Sequence, residues 1–243
     1  QCSSSHYWTA HAETEQFTSK FLVVANSNKA KLFEQLAHLP TKPLRGQVTS
    51  LRNNKLQSSH CVVCGEGYLC PEVNGWHHFG ATFDLHSIES CIKESDNFQN
   101  IDSIKNWLPS WLPNDLPDIQ EASKQATRKF EVESFEIESN AGLRCTTPDY
   151  MPIVGSAPIY EEMLSTFSKL RVGANSCNKL YGHYYTNLFV NIGHGSKGLF
   201  TTPLTAAYIN AEICGGAPPL NDQQKTMISP SRFIVKHLKQ RKI

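Results

Sequence analysis

Apolar positions along the chain fall into short blocks of differing period. Phe21-Leu-Val-Val-Ala25 is continuously apolar and ends at Asn26-Ser27. That pattern predicts a buried strand, of the kind found in a parallel sheet. Lys29 to Leu39 has helical spacing, with Leu32, Phe33, Leu36 and Ala37 on one side and Pro40 and Pro43 closing it. Pro43 to Val48 reads as a strand with Arg45 and Gly46 at its head. Gly46 marks either close approach of a ligand to the backbone or a bulge. His60 to Cys64 and Gly67 to Pro71 predict two short strands around a Gly-Glu-Gly turn. Trp76 to Phe83 predicts a third, after the turn signal Asn74-Gly75. These hairpins imply an antiparallel sheet.

Residues 87 to 129 carry a helical pattern interrupted by Pro109, Pro113 and Pro117. Phe130 to Glu138 is strand-like, but its apolar phase shifts between Val132 and Phe135, as a bulge would cause. Tyr160 to Leu170 predicts an amphipathic helix, and Arg171 to Tyr185 is polar and irregular. Pro230 to Ile243 predicts a basic helix carrying Lys236, Lys239, Arg241 and Lys242. Such a helix is either a solvated terminal element or a surface for a phosphate backbone.

The stretch from Asn187 to Ile213 organises the rest. It reads as a strand (Leu188 to Ile192), a turn (Gly193-His194-Gly195-Ser196-Lys197-Gly198) and a helix. Three glycines in six residues let the backbone bend sharply and come close to a ligand. Pro203 is tolerated in the helix's first turn. The unpaired N–H groups at such a helix start hold an anion, or a group that becomes one. The competing reading is a structural corner that binds nothing.

Composition narrows the class. The 243 residues suit one large domain or two modest ones, and 40% hydrophobic with 19% charged content suits a globular protein. A net charge of +1 gives no overall pull toward nucleic acid. No apolar run is long enough to span a membrane. The first residues, QCSSSHYWTA, have neither the basic start nor the apolar core of an export signal. The expected setting is therefore cytoplasmic, with the eight cysteines as free thiols. The absence of an initiator Met suggests a piece of a longer protein. Cys61-Val-Val-Cys64, with Cys70, His77 and His78 nearby, invites a zinc reading. Strand positions three apart face opposite sides, however, and a second CxxC is missing, so no metal is expected.

Ser139 to Pro158 is the second informative stretch. Arg144 follows Ala-Gly-Leu and leads into a segment rich in turns. Arginine suits a carboxylate because it offers two parallel hydrogen bonds. The alternative is a loop tied down by an Arg144–Asp149 pair.

PLRGQV, GYLCP followed by FGATF, AGLRCTTPDYMPIVG, and NIGHGSKGLFTTPLTAAYINAEI occur in an order and spacing that resemble one family. This is the FAD-dependent oxidoreductase half of the bacterial bifunctional enzyme that makes 5-methylaminomethyl-2-thiouridine in tRNA, within the D-amino-acid oxidase/glycine oxidase superfamily. The resemblance runs from about Phe21 to the end of the chain. Such flavoproteins open with a GxGxxG fingerprint on the first strand–turn–helix of a dinucleotide fold, and this chain opens without one. The family's methyltransferase domain, which uses S-adenosylmethionine, is also absent.

The resemblance implies FAD as cofactor and tRNA, at its wobble uridine, as partner. The implied reaction removes the carboxymethyl group from carboxymethylaminomethyl-uridine and releases glyoxylate. It gives Arg144 the substrate carboxylate and sets Tyr68 near the same group. It sets Gly193, His194, Gly195, Ser196, Lys197, Gly198 and Leu199 beneath the flavin pyrimidine ring. It runs Arg45-Gly46-Gln47 past the isoalloxazine. Lys197 stands where the family commonly has Arg.

The expected fold is α/β, with an α+β substrate part. An incomplete FAD-binding, Rossmann-like layer (residues 1–40 and 172–243) joins a mainly antiparallel substrate domain of the D-amino-acid oxidase type (residues 41–171). A non-catalytic fragment or tRNA-binding module, and a sister amine oxidase acting on glycine or sarcosine, are the alternative readings.

Overall fold

The structure, a computed structural model, describes residues 7–112, 130–132, 135–172 and 182–243. Pro113, Pro117 and the rest of the pattern expected between them and residue 129 lie outside these. The chain divides into two compact units: Gln1–Lys42 with Arg144–Ile243, and Pro43–Leu143.

The first unit opens with a hairpin, β1 (Trp8–His11) and β2 (Gln16–Ser19), for which the sequence had no clear signal. Its centre is a sheet in the order β10 (Ile153–Pro158), β11 (Tyr184–Ile192), β3 (Leu22–Val24). β10 runs antiparallel to β11, and β3 runs parallel to it. The apolar run at Phe21–Ala25 is thus a strand in a parallel pair, as expected, although Val23 is 40% exposed.

Side chains alternate along β11. Leu188, Val190 and Ile192 join Trp8, Ala30, Leu36, Ile153 and Phe233 in one core. Phe189 joins Val154, Tyr208 and Ile209 in another on the opposite face. A strand covered on both sides reads as apolar throughout, which is why it was legible.

The helix expected over Lys29–Leu39 is two short 3₁₀ turns, Ser27–Leu32 and Glu34–Leu36, separated by Phe33 in an extended conformation. Leu32 is 82% exposed, whereas Ala30, Leu36 and Leu39 are buried. The chain thus presents i, i+6 and i+9 to the core instead of the predicted stripe. Five α-helices lie in the described residues: α1 (Glu94–Trp107), α2 (Tyr160–Thr166), α3 (Gly198–Cys214), α4 (Asp222–Ile228) and α5 (Arg232–Lys239). A capping box at α4, between Asn221 and Gln224, satisfies two helix-start donors reciprocally. Met163 and Phe167, from α2 and just beyond it, pack on Ile234 and Leu238 of α5. β10 and α2, expected in the middle domain, lie in the first unit because β10 pairs with β11.

The second unit is built on a six-stranded sheet. Its order is β5 (Val63–Cys64), β6 (Tyr68–Leu69), β7 (Trp76–Gly80), β4 (Lys42–Arg52), β9 (Phe135–Thr146), β8 (Phe130–Val132). β4 with β7, β5 with β6, β6 with β7 and β8 with β9 all pair antiparallel, as the turn signals predicted for the hairpins. α1 lays Ile101 and Ile104 on Leu51, Leu69, Phe79 and Ile137. Among the described residues of the stretch with the helical pattern, the helix is Glu94–Trp107, and Ser87 to Lys93 is not helical. No helix among the described residues is long and apolar enough to cross a membrane.

Candidate active site

The glycine turn sits where β11 ends and α3 begins. Gly193 has φ +78°, and a Cβ built there would lie 2.7 Å from Thr147 Cγ2. Both backbone shape and close approach therefore demand glycine. Gly195 has φ +57°, and its N–H donates to Cys145 O at 2.8 Å. The third glycine differs: a Cβ on Gly198 would meet only His194 Cβ, at 3.9 Å.

This turn spells G-x-G-x-x-G after a strand and before a helix, the spelling of a dinucleotide fingerprint. In that fingerprint the third glycine permits close helix–strand packing. Here the space at Gly198 is open, so the spelling alone does not carry that assignment.

His194 is part of the turn's framework. Its Nε2 lies 2.9 Å from Asn191 Oδ1 and its Nδ1 lies 2.7 Å from Thr201 Oγ1. Burial pushes its pKa down, which favours the neutral ring. Both ring nitrogens are thus engaged, and a ligand meets this residue through its backbone. The N–H groups of Lys197, Phe200 and Thr201 bond within the turn. Those of Ser196, Gly198 and Leu199 have no backbone acceptor among the described residues. Ser196 and Lys197 are exposed. Leu199 and Phe200 are 98% and 85% exposed. The helix start therefore offers unpaired donors beside bare apolar surface.

Arg144 stands one residue before Cys145, whose carbonyl receives the Gly195 N–H. The end of β9 and the glycine turn are therefore joined through the backbone. Arg144 is half-buried and interacts with its surroundings. Asp149 is held by a different arginine. Arg232 of α5 holds it by Nε to Oδ2 at 2.8 Å and Nη2 to Oδ1 at 2.9 Å. Arg232 also donates from Nη2 to Met151 O at 2.8 Å, so this one guanidinium ties down the Thr147–Met151 turn. Burial would raise the Asp149 carboxyl, but the Arg232 bonds outweigh it and hold the pKa below its ordinary value. Sequence reasoning missed Arg232. The only available signal was an arginine in an otherwise amphipathic helix, 83 positions away.

The remaining expected residues lie in the second unit. Tyr68 is half-buried on β6, opposite Cys64 on β5 and Gly80 on β7. Arg45 is fully buried. Its guanidinium pairs with Asp96 of α1 and donates to Gln47 Oε1 and Cys91 O. Gly46 is buried inside β4. The Arg45 side chain thus serves the internal packing of its own unit. Cys61 and Cys64 are exposed, and Cys70 is half-buried. No group of three or more metal-capable side chains converges among the described residues.

A family model described as FAD dependent oxidoreductase matches residues 4–211. The chain belongs to this family. Among curated FAD dependent oxidoreductase relatives is the tRNA 5-methylaminomethyl-2-thiouridine biosynthesis bifunctional protein of Saccharophagus degradans. It is 33% identical over 222 residues, covering 91% of this chain and 29% of that protein. The protein of the same name from Pseudomonas syringae is 32% identical, covering 95% of this chain and 34% of its own length. The chain thus spans about a third of the relatives it matches. Among solved structures, glycine oxidase from Geobacillus kaustophilus aligns at TM-score 0.60 with 15% identity, over 94% of this chain and 50% of that one. Iminodiacetate oxidase from Chelativorans aligns at TM-score 0.59 with 16% identity, over 86% and 47%. These two likenesses establish the fold.

The residues of the turn fit one end of the family's cofactor. Unpaired N–H groups at a helix start suit an oxygen that gains negative charge, and bare Leu199 and Phe200 suit a flat ring.

Proposed function

We propose that the chain is the flavin-site portion of an oxidoreductase acting on tRNA. In this reading it removes the carboxymethyl group from 5-carboxymethylaminomethyl-(2-thio)uridine at the wobble position and leaves the aminomethyl form. Bound FAD would supply a two-electron acceptor for the hydride on the carbon between amine and carboxylate. Hydrolysis of the oxidised substrate C–N bond then releases glyoxylate.

The chain's own residues bind and orient. Arg144 grips the substrate carboxylate with two parallel hydrogen bonds and fixes the reacting C–H in one direction, a gain of proximity. The N–H groups of Gly198 and Leu199, at the positive end of the α3 dipole, hold the cofactor's pyrimidine edge. The Lys197 ammonium adds a charge beside the same edge. The observation that supports this arrangement most is the bond from Gly195 N–H to Cys145 O at 2.8 Å, which joins the glycine turn to the strand end carrying Arg144. The reading assigns residues 1–40 and 172–243 to the FAD side and the middle of the chain to the substrate side.

The test is glyoxylate release by the FAD-loaded protein, with tRNA bearing the carboxymethylaminomethyl group as substrate. Arg144→Met is expected to lower kcat/KM by about 10- to 150-fold, the loss of one charge-assisted interaction of about 1.5–3 kcal/mol. Tyr68→Phe, assayed alongside, tests the role that the resemblance gives Tyr68. Glyoxylate from free sarcosine or glycine but none from tRNA would replace this reading with a small-amine oxidase. Purified protein that stays colourless with added FAD would leave the chain a non-catalytic tRNA-binding piece.

A further inference from the structure

A second concave site lies in the first unit, away from the glycine turn. It is a cavity of about 230 Å³ between β10, α3 and α4, lined by Gly155, Ser156, Tyr184, Tyr208, Lys225 and Ser229 among others. Tyr208 is ten residues past Gly198, roughly 15 Å along the helix axis at 1.5 Å per residue. The cavity is thus separate from the helix start.

Several features make it a built site. Tyr208 is 9% exposed, and its hydroxyl, which makes no hydrogen bond to any described residue, opens on the cavity it lines and is free to bond a ligand. Burial pushes the Tyr208 pKa up to about 12, with the charges of Glu212 and Tyr184 adding to it, so the group is a phenol ready to donate. Gly155 has φ +124°, a conformation that side chains rarely adopt, and a Cβ there would come within 3.6 Å of both Tyr208 Oη and Pro230 Cδ. The glycine keeps this wall of the cavity open. Lys225 stands at the edge, its ion pair among the described residues a 3.7 Å contact to the fully exposed Asp222.

The cavity continues into a groove of about 340 Å³ along α5, and Thr226 and Ser229 line both. Lys236 and Lys239 line the groove. Charge is concentrated here: residues 222–243 hold six Lys and Arg against one acidic residue, in a chain of net charge +1. Arg232 is committed to Asp149, which leaves the lysines to face outward.

We propose that this cavity and groove bind a nucleotide, with phosphate held by Lys225, Lys236 and Lys239 and the edge of a base against the Tyr208 hydroxyl. A hydroxyl-lined pocket beside a cationic track suits a nucleotide, because a base edge offers hydrogen-bonding groups and the phosphate pairs with the lysines. The same chemistry is offered by an RNA chain or by a free mononucleotide. The RNA source rests on the tRNA reading above, and the mononucleotide source does not.

The experiment uses the full chain with two probes: uridine 5′-monophosphate by calorimetry, and labelled tRNA by fluorescence anisotropy over a salt series. Two variants are compared with the parent, Tyr208→Phe and the combined Lys225→Gln, Lys236→Gln, Lys239→Gln. Tyr208→Phe removes an oxygen that bonds nothing in the protein, so folding is expected to survive. It should weaken the mononucleotide about 3- to 10-fold, one hydrogen bond's worth. The triple variant should weaken tRNA at least tenfold and reduce the slope of log K against log salt by about 2, at roughly 0.7 per phosphate contact. If tRNA binds and neither variant changes its affinity, the site is overturned while the tRNA reading stands. If the mononucleotide binds through Tyr208 but tRNA does not bind, the site stands and the tRNA reading falls. If neither probe binds the parent protein, both fall.

Discussion

The α1 face of the second unit and the start of α3 in the first unit both gather polar groups, with opposite outcomes. On the α1 face, Asn97 Oδ1 accepts from Gln47 Nε2, Thr49 Oγ1 and Ser139 Oγ, each at 2.8 Å. Asn100 Nδ2 donates to Gln47 O and Thr49 Oγ1, each at 3.0 Å. Arg45 is paired with Asp96 inside the same network. Almost every donor there meets an acceptor, the bare Arg45 Nε being one exception. At the start of α3, N–H groups and two large apolar side chains are left over. Closed polar networks specify a fold, whereas leftover donors beside bare apolar surface are what a ligand can use. Arg45 belongs to the closed side of this division: the partners of its side chain are supplied by its own unit.

The largest effect expected from breaking this contrast comes from Asp96→Ala. It leaves the fully buried Arg45 guanidinium without its carboxylate. Removing one partner of a buried pair costs about 3–5 kcal/mol. Urea unfolding should show a loss of that order. A change below about 1 kcal/mol would mean that the network carries little of the unit's stability.

Gly193→Ala comes next. The left-handed backbone costs about 1–2 kcal/mol for a residue with a Cβ. The 2.7 Å approach to Thr147 Cγ2 adds overpacking of about 1–3 kcal/mol. A total of about 2–5 kcal/mol should appear in thermal unfolding, together with a weakened flavin site. A variant of parental stability would show that the turn relaxes freely and that its shape is not enforced.

The elements legible in advance were those whose local and tertiary demands agree. β3, β11 and α3 announced themselves through an apolar run and a glycine turn, because β11 is covered on both faces and Gly193 admits no side chain. The helix expected at Lys29–Leu39 failed because the predicted stripe ran through Leu32 and Phe33, which are left largely exposed. α4 was overlooked although Asn221 and Gln224 spell its cap. Its apolar content is slight, and periodicity outweighed capping. Arg232 was out of reach for a different reason: the ion pair with Asp149 closes over 83 residues, and no spacing rule foretells such a contact. At the candidate site, the three glycines made the sharp turn after β11 legible, since Gly193 and Gly195 both have positive φ. Only coordinates could reveal that the Arg45 side chain is spent on Asp96.

His38 offers a smaller, pH-dependent test. It stacks on Tyr160 with ring centroids 5.0 Å apart, and its buried Nε2 has no hydrogen-bond partner. Burial lowers its pKa from the ordinary 6.5 to about 4. The folded state thus favours the neutral ring. The stability this contributes is complete above pH 6.5 and is lost as pH falls toward 4. His38→Phe keeps the stack and removes the titration, so its stability should fall less than the parent's between pH 6.5 and 4. Parallel curves for the two proteins would contradict the assignment.

The smallest expected effect separates two meanings of one spelling. If the G-x-G-x-x-G of residues 193–198 served as a dinucleotide fingerprint, its third glycine would be needed for helix–strand packing. The nearest atom to a Cβ at Gly198 is His194 Cβ at 3.9 Å, an ordinary contact. Gly198→Ala also restricts the unfolded chain, which favours the folded state by a few tenths of a kcal/mol where the backbone is compatible. Stability should therefore stay within about 0.5 kcal/mol of the parent or rise slightly. The N–H at position 198 is retained, so flavin affinity should be unchanged. A large loss of either would mean that something approaches this backbone more closely than His194 does, and the pyrimidine-edge assignment would give way to a pyrophosphate one.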